Sequence, residues 1–147
     1  MESFVGSLGL IRSSASPPAQ WLLMKGEELR FIQADRLDGD SYRECIVREI
    51  SWALDQEVQE GCLVSSYSRL HLSRAIYVPS EDQEVWFEVE FFVTDLYTEA
   101  ARQAAADNPH VVWLTGAEVR VGLSRNGVPI CERHSLLMAA ADVIPAW

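Results

Sequence analysis

No segment of this sequence is apolar for long enough to span a membrane. The longest apolar stretches, such as Val85 to Phe92, are broken by glutamates, whereas a spanning helix needs roughly 20 consecutive apolar residues. A basic N-terminal region followed by a long apolar run is also missing, which predicts that the chain has no secretory signal. Cysteine is scarce. Cys45, Cys62 and Cys131 are odd in number and far apart, so they form neither a metal spacing nor a disulfide framework. They are expected to be buried, reduced thiols, which fits a cytoplasmic location. Basic charge is in deficit: 12 Lys and Arg stand against 22 Asp and Glu, a formal net charge of −10. That argues against a sequence-independent grip on extended nucleic acid, which needs cations to displace counterions. It leaves room for a nucleotide in a local pocket, and its bland consequence is solubility.

Catalytic and metal-binding motifs are sparse as well. There is no phosphate loop and no serine in a nucleophile-elbow pattern. His71, His110 and His134 form no pair at ligand spacing, and each is expected to be structural. What the chain does have is an ordinary globular composition, with 48% hydrophobic and 23% charged residues among 147. Without an internal repeat or a long linker, residues 1–147 are expected to form one domain.

The element order is that of an α/β protein. Phe4 to Ile11 reads as a strand, and Ser13 to Ala19, with Pro17-Pro18, as a loop. Trp21 to Lys25 and Leu29 to Ile32 flank a turn and predict a hairpin. Ala34 to Asp40 is a polar loop. Asp40 or Ser41 should cap a helix with Glu44 in its first turn and an inner stripe of Tyr42, Ile46, Ile50 and Ala53, ending near Gln56. Leu63 to Val78 suggests one bent strand, followed by a turn at Ser80 to Gln83. Strict alternation then places Val85, Phe87, Val89, Phe91 and Val93 on one face of a strand and Trp86, Glu88, Glu90 and Thr94, together with Phe92, on the other. The first set is expected to pack on the helix stripe. Thr98 to Ala106 reads as a short helix or a helical turn in a connection, Val111 to Leu114 as a strand, and Thr115 caps a short helix or turn through Val121. Arg125-Asn126-Gly127 is a turn, and Pro129 opens a last helix with Ile130, His134, Leu137, Met138 and Ala141 at helical spacing.

The segment from Gln33 to Gln56 resembles the Nudix box. In that family the box is a glycine, five residues, a glutamate, seven residues, Arg-Glu, an aliphatic residue, any residue, Glu-Glu, any residue, glycine and an aliphatic residue. On this pattern the first glycine falls on Ala34 and the first glutamate on Asp40. Arg48-Glu49-Ile50 follow in register, but the paired glutamates fall on Trp52 and Ala53, and the closing glycine on Asp55. The order of the other elements is similar to the family's along nearly the whole chain. Asn126 to Ile130 and the helix after them are similar to a bacterial subgroup, the SMODS-associated Nudix domains. The resemblance implies a Nudix-like α/β/α sandwich, a mixed β-sheet between helices.

Family members hydrolyse nucleoside diphosphates linked to another group, with box glutamates gathered round magnesium. The resemblance implies that Glu49 and the positions of Trp52 and Ala53 would have been the main ligands, and Glu49 alone is a carboxylate. Asp55 lies about 120° from Glu49 round the helix, and Gln56 is neutral. Glu88 or Glu90 on the polar strand face would be the remaining route to a metal site. The residual box positions are thus Asp40, Arg48 and Glu49, with Glu49 and Glu88 as weak metal candidates. The candidate ligand cleft is Arg48, Glu49, Trp52, Trp86, Glu88 and Glu90. Arg48 and Glu49 have a structural reading too, as a tie between loop and helix. Trp52 is open to packing at the core margin, filling the former metal site, or stacking on a base or partner.

Three functions follow as expectations. One is a catalytically inactive module for a nucleotide-like ligand or a partner protein, without a cofactor. Another is a divergent hydrolase, which alone would need magnesium. The last is an unrelated α/β interaction domain, possible as a homodimer, whose Trp86 and Phe92 mark the contact surface.

Overall fold

The computed structural model describes residues 1–55 and 61–145. Its centre is a pair of long parallel strands, β1 (Glu2–Arg12) and β6 (Gln83–Leu96), matched from Glu2↔Val85 to Arg12↔Asp95. On the outer side of β6 lie β4 (Cys62–Val64) and β5 (Leu70–Val78), both antiparallel to it. On the other side, β1 pairs with β3 (Ile32–Asp35) along Gly6 to Gly9 and with β2 (Gln20–Met24) at Arg12↔Trp21; β2 then pairs with β7 (Val111–Thr115). The result is a mixed seven-stranded sheet among the described residues.

Alternation along the strands gives this sheet two apolar faces, and helices cover both. Leu8, Leu10, Trp21, Leu23, Val85, Phe87, Val89 and Phe91 form one core with Val119 of α3 (Gly116–Val121) and Leu137 and Met138 of α4 (Glu132–Ala141). Ile11, Leu22, Ile32, Phe92 and Leu96 form the other with Ile46 and Ile50 of α1 (Tyr42–Leu54) and Ala101 and Ala105 of α2 (Glu99–Asp107). The expected α/β/α sandwich is therefore the observed one. The expected partner of the β6 face is not. Val85, Phe87, Val89 and Phe91 are buried, but against the α3–α4 side; the α1 stripe packs on the opposite face. Phe92 corrects a second expectation, since it is 2% exposed beneath α1 rather than part of a contact surface. The outer face of β6 is polar only as far as Glu90, where the helix begins to cover it.

Local chemistry sets the element ends. Ser41 caps α1, accepting from the Glu44 amide at 3.0 Å while the Glu44 side chain accepts from the Ser41 amide, a reciprocal capping box. At the other end Asp55 adopts the left-handed conformation, φ 51°, in which helices usually place glycine. This is where the box's closing glycine falls, so the backbone turn persists with a different residue. The helix stops at Leu54; Gln56 lies outside the described residues. Thr115 caps α3 as expected, and Thr98 caps α2.

Three element boundaries differ from expectation. The apolar run from Leu63 to Val78 is two strands, interrupted between Val64 and Leu70. Leu29 and Arg30 make only single bridges, Met24↔Arg30 and Leu29↔Ile130, because the chain turns away to pair β3 with β1. Pro129 and Ile130 bridge to Leu123 and Leu29, and α4 starts two residues later at Glu132. Backbone pairing there outcompetes proline's preference for a first helical turn.

Candidate functional site

Helix α1 lies along β1. The Ser7 hydroxyl donates to the Tyr42 carbonyl at 2.7 Å, and Ile46 and Ile50 sit over Gly9. The loop before it is closed by charge: Arg48 pairs with Asp40 at 2.9 Å, and Arg36 donates to the Asp40 carbonyl at 3.0 Å. The Arg48 guanidinium holds the Asp40 carboxyl below its ordinary pKa. These box residues tie loop to helix, the structural reading of Arg48. Glu49 is half-buried and makes no hydrogen bond or ion pair within the described residues. Trp52 is 82% exposed, so it neither packs at the core margin nor fills a former metal site.

Trp86, Glu88 and Glu90 come together elsewhere. Their strand passes beyond the start of α1, since Glu88 sits beside Val5 and Glu90 beside Ser7. Glu49 lies about 10 Å further along the helix axis from Tyr42. The expected cleft thus divides in two, with Arg48, Glu49 and Trp52 on the helix and Trp86, Glu88 and Glu90 on the sheet. The sheet half is organised by a residue sequence reasoning passed over. His71 lies between the carboxylates, Nε2 to Glu88 at 2.7 Å and Nδ1 to Glu90 at 2.8 Å. Ser73 and the Trp86 indole both donate to the other Glu88 oxygen, at 2.6 and 3.0 Å. Tyr42 meets the His71 ring edge-on at 5.3 Å, and Arg36 covers Tyr42 at 4.8 Å. The signal was available: pairing outward from the Ser80–Gln83 turn puts Ser73 opposite Glu88 and His71 opposite Glu90.

With both ring nitrogens facing carboxylates, His71 favours the imidazolium. Its hydrogen bonds to Glu90 and then Glu88 raise its pKa, while Ser73, His71 and Trp86 lower that of Glu88. The His71 contribution to stability is complete below the ordinary histidine value of 6.5 and is lost as pH rises through the raised folded value. The Glu88 contribution is present above 4.5 and is lost as pH falls through the lowered one. Both are present at pH 5.5. His71→Gln is expected to lower the melting temperature more at pH 5.5 than at pH 9. The ring is 39% exposed, so the difference should stay below about 1 kcal/mol. Equal losses at the two pH values would show that the carboxylates do not hold a charged ring.

On the opposite face, near the edge of β3, a cavity of about 360 Å³ is lined by Glu28, Arg30, Gln33, Ser80, Phe4 and Phe87, with the start of α4 as one wall. His134 forms part of that wall and is 1% exposed. Its Nδ1 accepts from the Phe31 amide at 3.1 Å and its Nε2 lies 2.8 Å from Gln33 Oε1, which assigns the proton to Nε2. Burial pushes its pKa down to about 4, so the ring is neutral. Among the described residues, no three His, Cys, Asp or Glu side chains converge where they could hold a metal ion.

Neither a family model nor a curated protein matches the chain. Solved structures do. NrtR from Shewanella oneidensis, in complex with a 27mer DNA, superposes with a TM-score of 0.60 at 12% identity over 93% of this chain and 59% of its own. The Nudix hydrolase RenU from M. smegmatis gives 0.54 at 12% identity over 95% and 85%, and the C. elegans Ap4A hydrolase 0.56 at 12% over 95% and 98%. The chain has the Nudix fold. It spans less than two thirds of the NrtR chain, but most of the two hydrolases. The box-like segment falls on α1, and Ala34 is the penultimate residue of β3, the strand before it.

Proposed function

We propose that this Nudix-fold chain binds a nucleotide-type ligand without hydrolysing it. The box helix carries the reading: of the three positions that would gather magnesium, Glu49 alone is acidic, Trp52 points to solvent and Ala53 has no donor. Magnesium needs hard oxygen ligands in near-octahedral geometry, and these side chains do not fit it. Glu88, the other candidate, has both oxygens engaged by His71, Ser73 and Trp86. Among the described residues, the divergent-hydrolase reading therefore has no ligand set to support it.

The cavity beside β3 supports the ligand half of the proposal. Its size lies in the small-molecule range. Half-buried Phe4 offers apolar surface to a base, Gln33 and Glu28 offer hydrogen bonds to its edge, and the Arg30 guanidinium makes no ion pair among the described residues, while Glu81 and Glu132 line the same cavity. Gln33 directly precedes Ala34 in β3, and the cavity lies across the sheet from the box helix. Matched structures named for an Ap4A hydrolase and for a complex with a 27mer DNA favour nucleotide chemistry. The exposed Trp52 favours a second reading, in which the outer side of α1 meets a partner protein. Three buried free thiols accord with a reducing, cytoplasmic setting.

Thermal melts with and without magnesium test the metal half. Wild type is expected to show no magnesium response. Trp52→Glu with Ala53→Glu would put three carboxylates at neighbouring helical positions and cost about 1 kcal/mol without metal. Millimolar magnesium should recover part of that loss through binding to the folded state. Stabilisation of wild type as strong as that of the double variant would reveal a metal site in the native chain.

A further inference from the structure

A second cavity, of about 380 Å³, lies at the β2–β7 edge on the α3–α4 side of the sheet and shares no lining residue with the first. Its floor is apolar: Leu29, Val112, Leu114 and Val128. Its mouth carries Lys25 and Arg125, both exposed. Neither side chain makes a hydrogen bond or ion pair among the described residues, although the chain holds 22 acidic residues against 12 basic ones. Two cations without an ion pair thus stand together over one apolar hollow, with the Glu118 carboxylate beside Arg125.

The walls are fixed before any ligand arrives. The Glu118 carboxylate accepts from the Thr115 amide at 3.0 Å and from the Arg125 amide at 2.8 Å. These bonds occupy both its oxygens and lower its pKa, led by the Thr115 amide. Ser124 closes the turn that follows: its hydroxyl accepts from the Val128 amide at 3.1 Å, and its amide donates to the Val128 carbonyl at 3.0 Å. Gly127 supplies the left-handed residue at φ 84°. The Leu29 amide donates to Pro129 and the Leu29 carbonyl accepts from Cys131, joining that turn to the opposite wall. A walled apolar hollow with charged groups at its rim is pre-organised, so little ordering cost falls on binding.

We infer that this cavity is a binding site for a small organic monoanion, an apolar body bearing one carboxylate. The floor takes the body and Lys25 and Arg125 take the charge. With Glu118 at the rim, the two cations leave a net charge of one positive, which matches a monoanion better than a phosphate dianion. The site does not depend on the nucleotide proposal.

The test uses 1-naphthoate, with the neutral 1-naphthalenemethanol as its isostere, followed by amide NMR shifts on the full chain. Shifts should concentrate at Lys25, Leu29, Arg125, Asn126 and Gly127, and the carboxylate should bind more tightly than the alcohol. Lys25→Gln and Arg125→Gln should each weaken naphthoate by about tenfold. Arg74→Gln, a remote exposed cation on β5, should not change it. Surface charges at both positions make unfolding an unsuited explanation, and the spectra report it directly. Shifts confined to other residues, equal affinity for the alcohol, or affinity unchanged in both cavity variants would each overturn the inference.

Discussion

Replacing Gly6 by alanine is expected to cost the fold about 3 kcal/mol or more, at the upper end of overpacking losses. Gly6 sits in the middle of the sheet, paired with Asp35 of β3 on one side and Val89 of β6 on the other. A Cβ there would stand 2.0 Å from the Ala34 carbonyl oxygen, a backbone atom held in the β1–β3 ladder. Relief requires β3 to separate from β1, and β3 delivers the chain into the box loop. Gly9 is the internal control. Its added Cβ would meet the Ile50 Cδ1 at 2.8 Å, the far end of a flexible side chain, and Gly9→Ala should cost only about 1 kcal/mol. Chemical denaturation of the two variants separates them. Equal losses would mean that the β1–β3 approach is looser than described.

His134→Ala is expected to lose about 3 to 5 kcal/mol, the cost of truncating a large buried ring plus an orphaned amide. The ring fills the space beneath Phe31, with ring centroids 6.0 Å apart, and accepts the Phe31 amide. Its neutrality adds a pH signature. Burial, the larger cause, and Arg30 depress the pKa to about 4, so the folded state takes no proton between the ordinary value of 6.5 and that point, while the unfolded chain does. Stability therefore falls as pH drops through this window, by up to about 3 kcal/mol in total. His134→Leu keeps the bulk and removes the titration, so its stability should fall less steeply over the same range. Parallel profiles for wild type and His134→Leu would show that the ring is protonated in the fold.

Much of this architecture was legible in the residues. Ser41 and Glu44 announce the start of α1, and the alternation from Val85 to Phe91 marks a strand with a buried face. The register from Asp40 to Arg48-Glu49 carried the Nudix resemblance that the superpositions support as a fold. What could not be read was which helix covers which face. Periodicity says that Phe87 is buried, but not by what, because both sheet faces are apolar and each has a helix. Phe92 failed for a related reason: alternation assigns a side, whereas burial on that side depends on where α1 passes overhead. The Leu63–Val78 run hid a break because strand-forming residues flank it on both ends. His71 was passed over because its partners are 17 and 19 residues away in sequence, close only once the β5–β6 register is set. That the candidate cleft residues are shared between the helix and the strand, three on each, follows from the sequence, but how far apart the two groups lie depends on where α1 crosses the sheet.

Turnover assayed by phosphorus NMR tests the central claim most directly. The wild-type chain would be incubated with a panel of nucleoside diphosphate-linked compounds and magnesium or manganese, alongside Glu49→Gln. Binding without bond cleavage is the expected result, with wild type and Glu49→Gln indistinguishable in product. Metal-dependent cleavage by wild type that disappears in Glu49→Gln would contradict the account and make this chain a hydrolase.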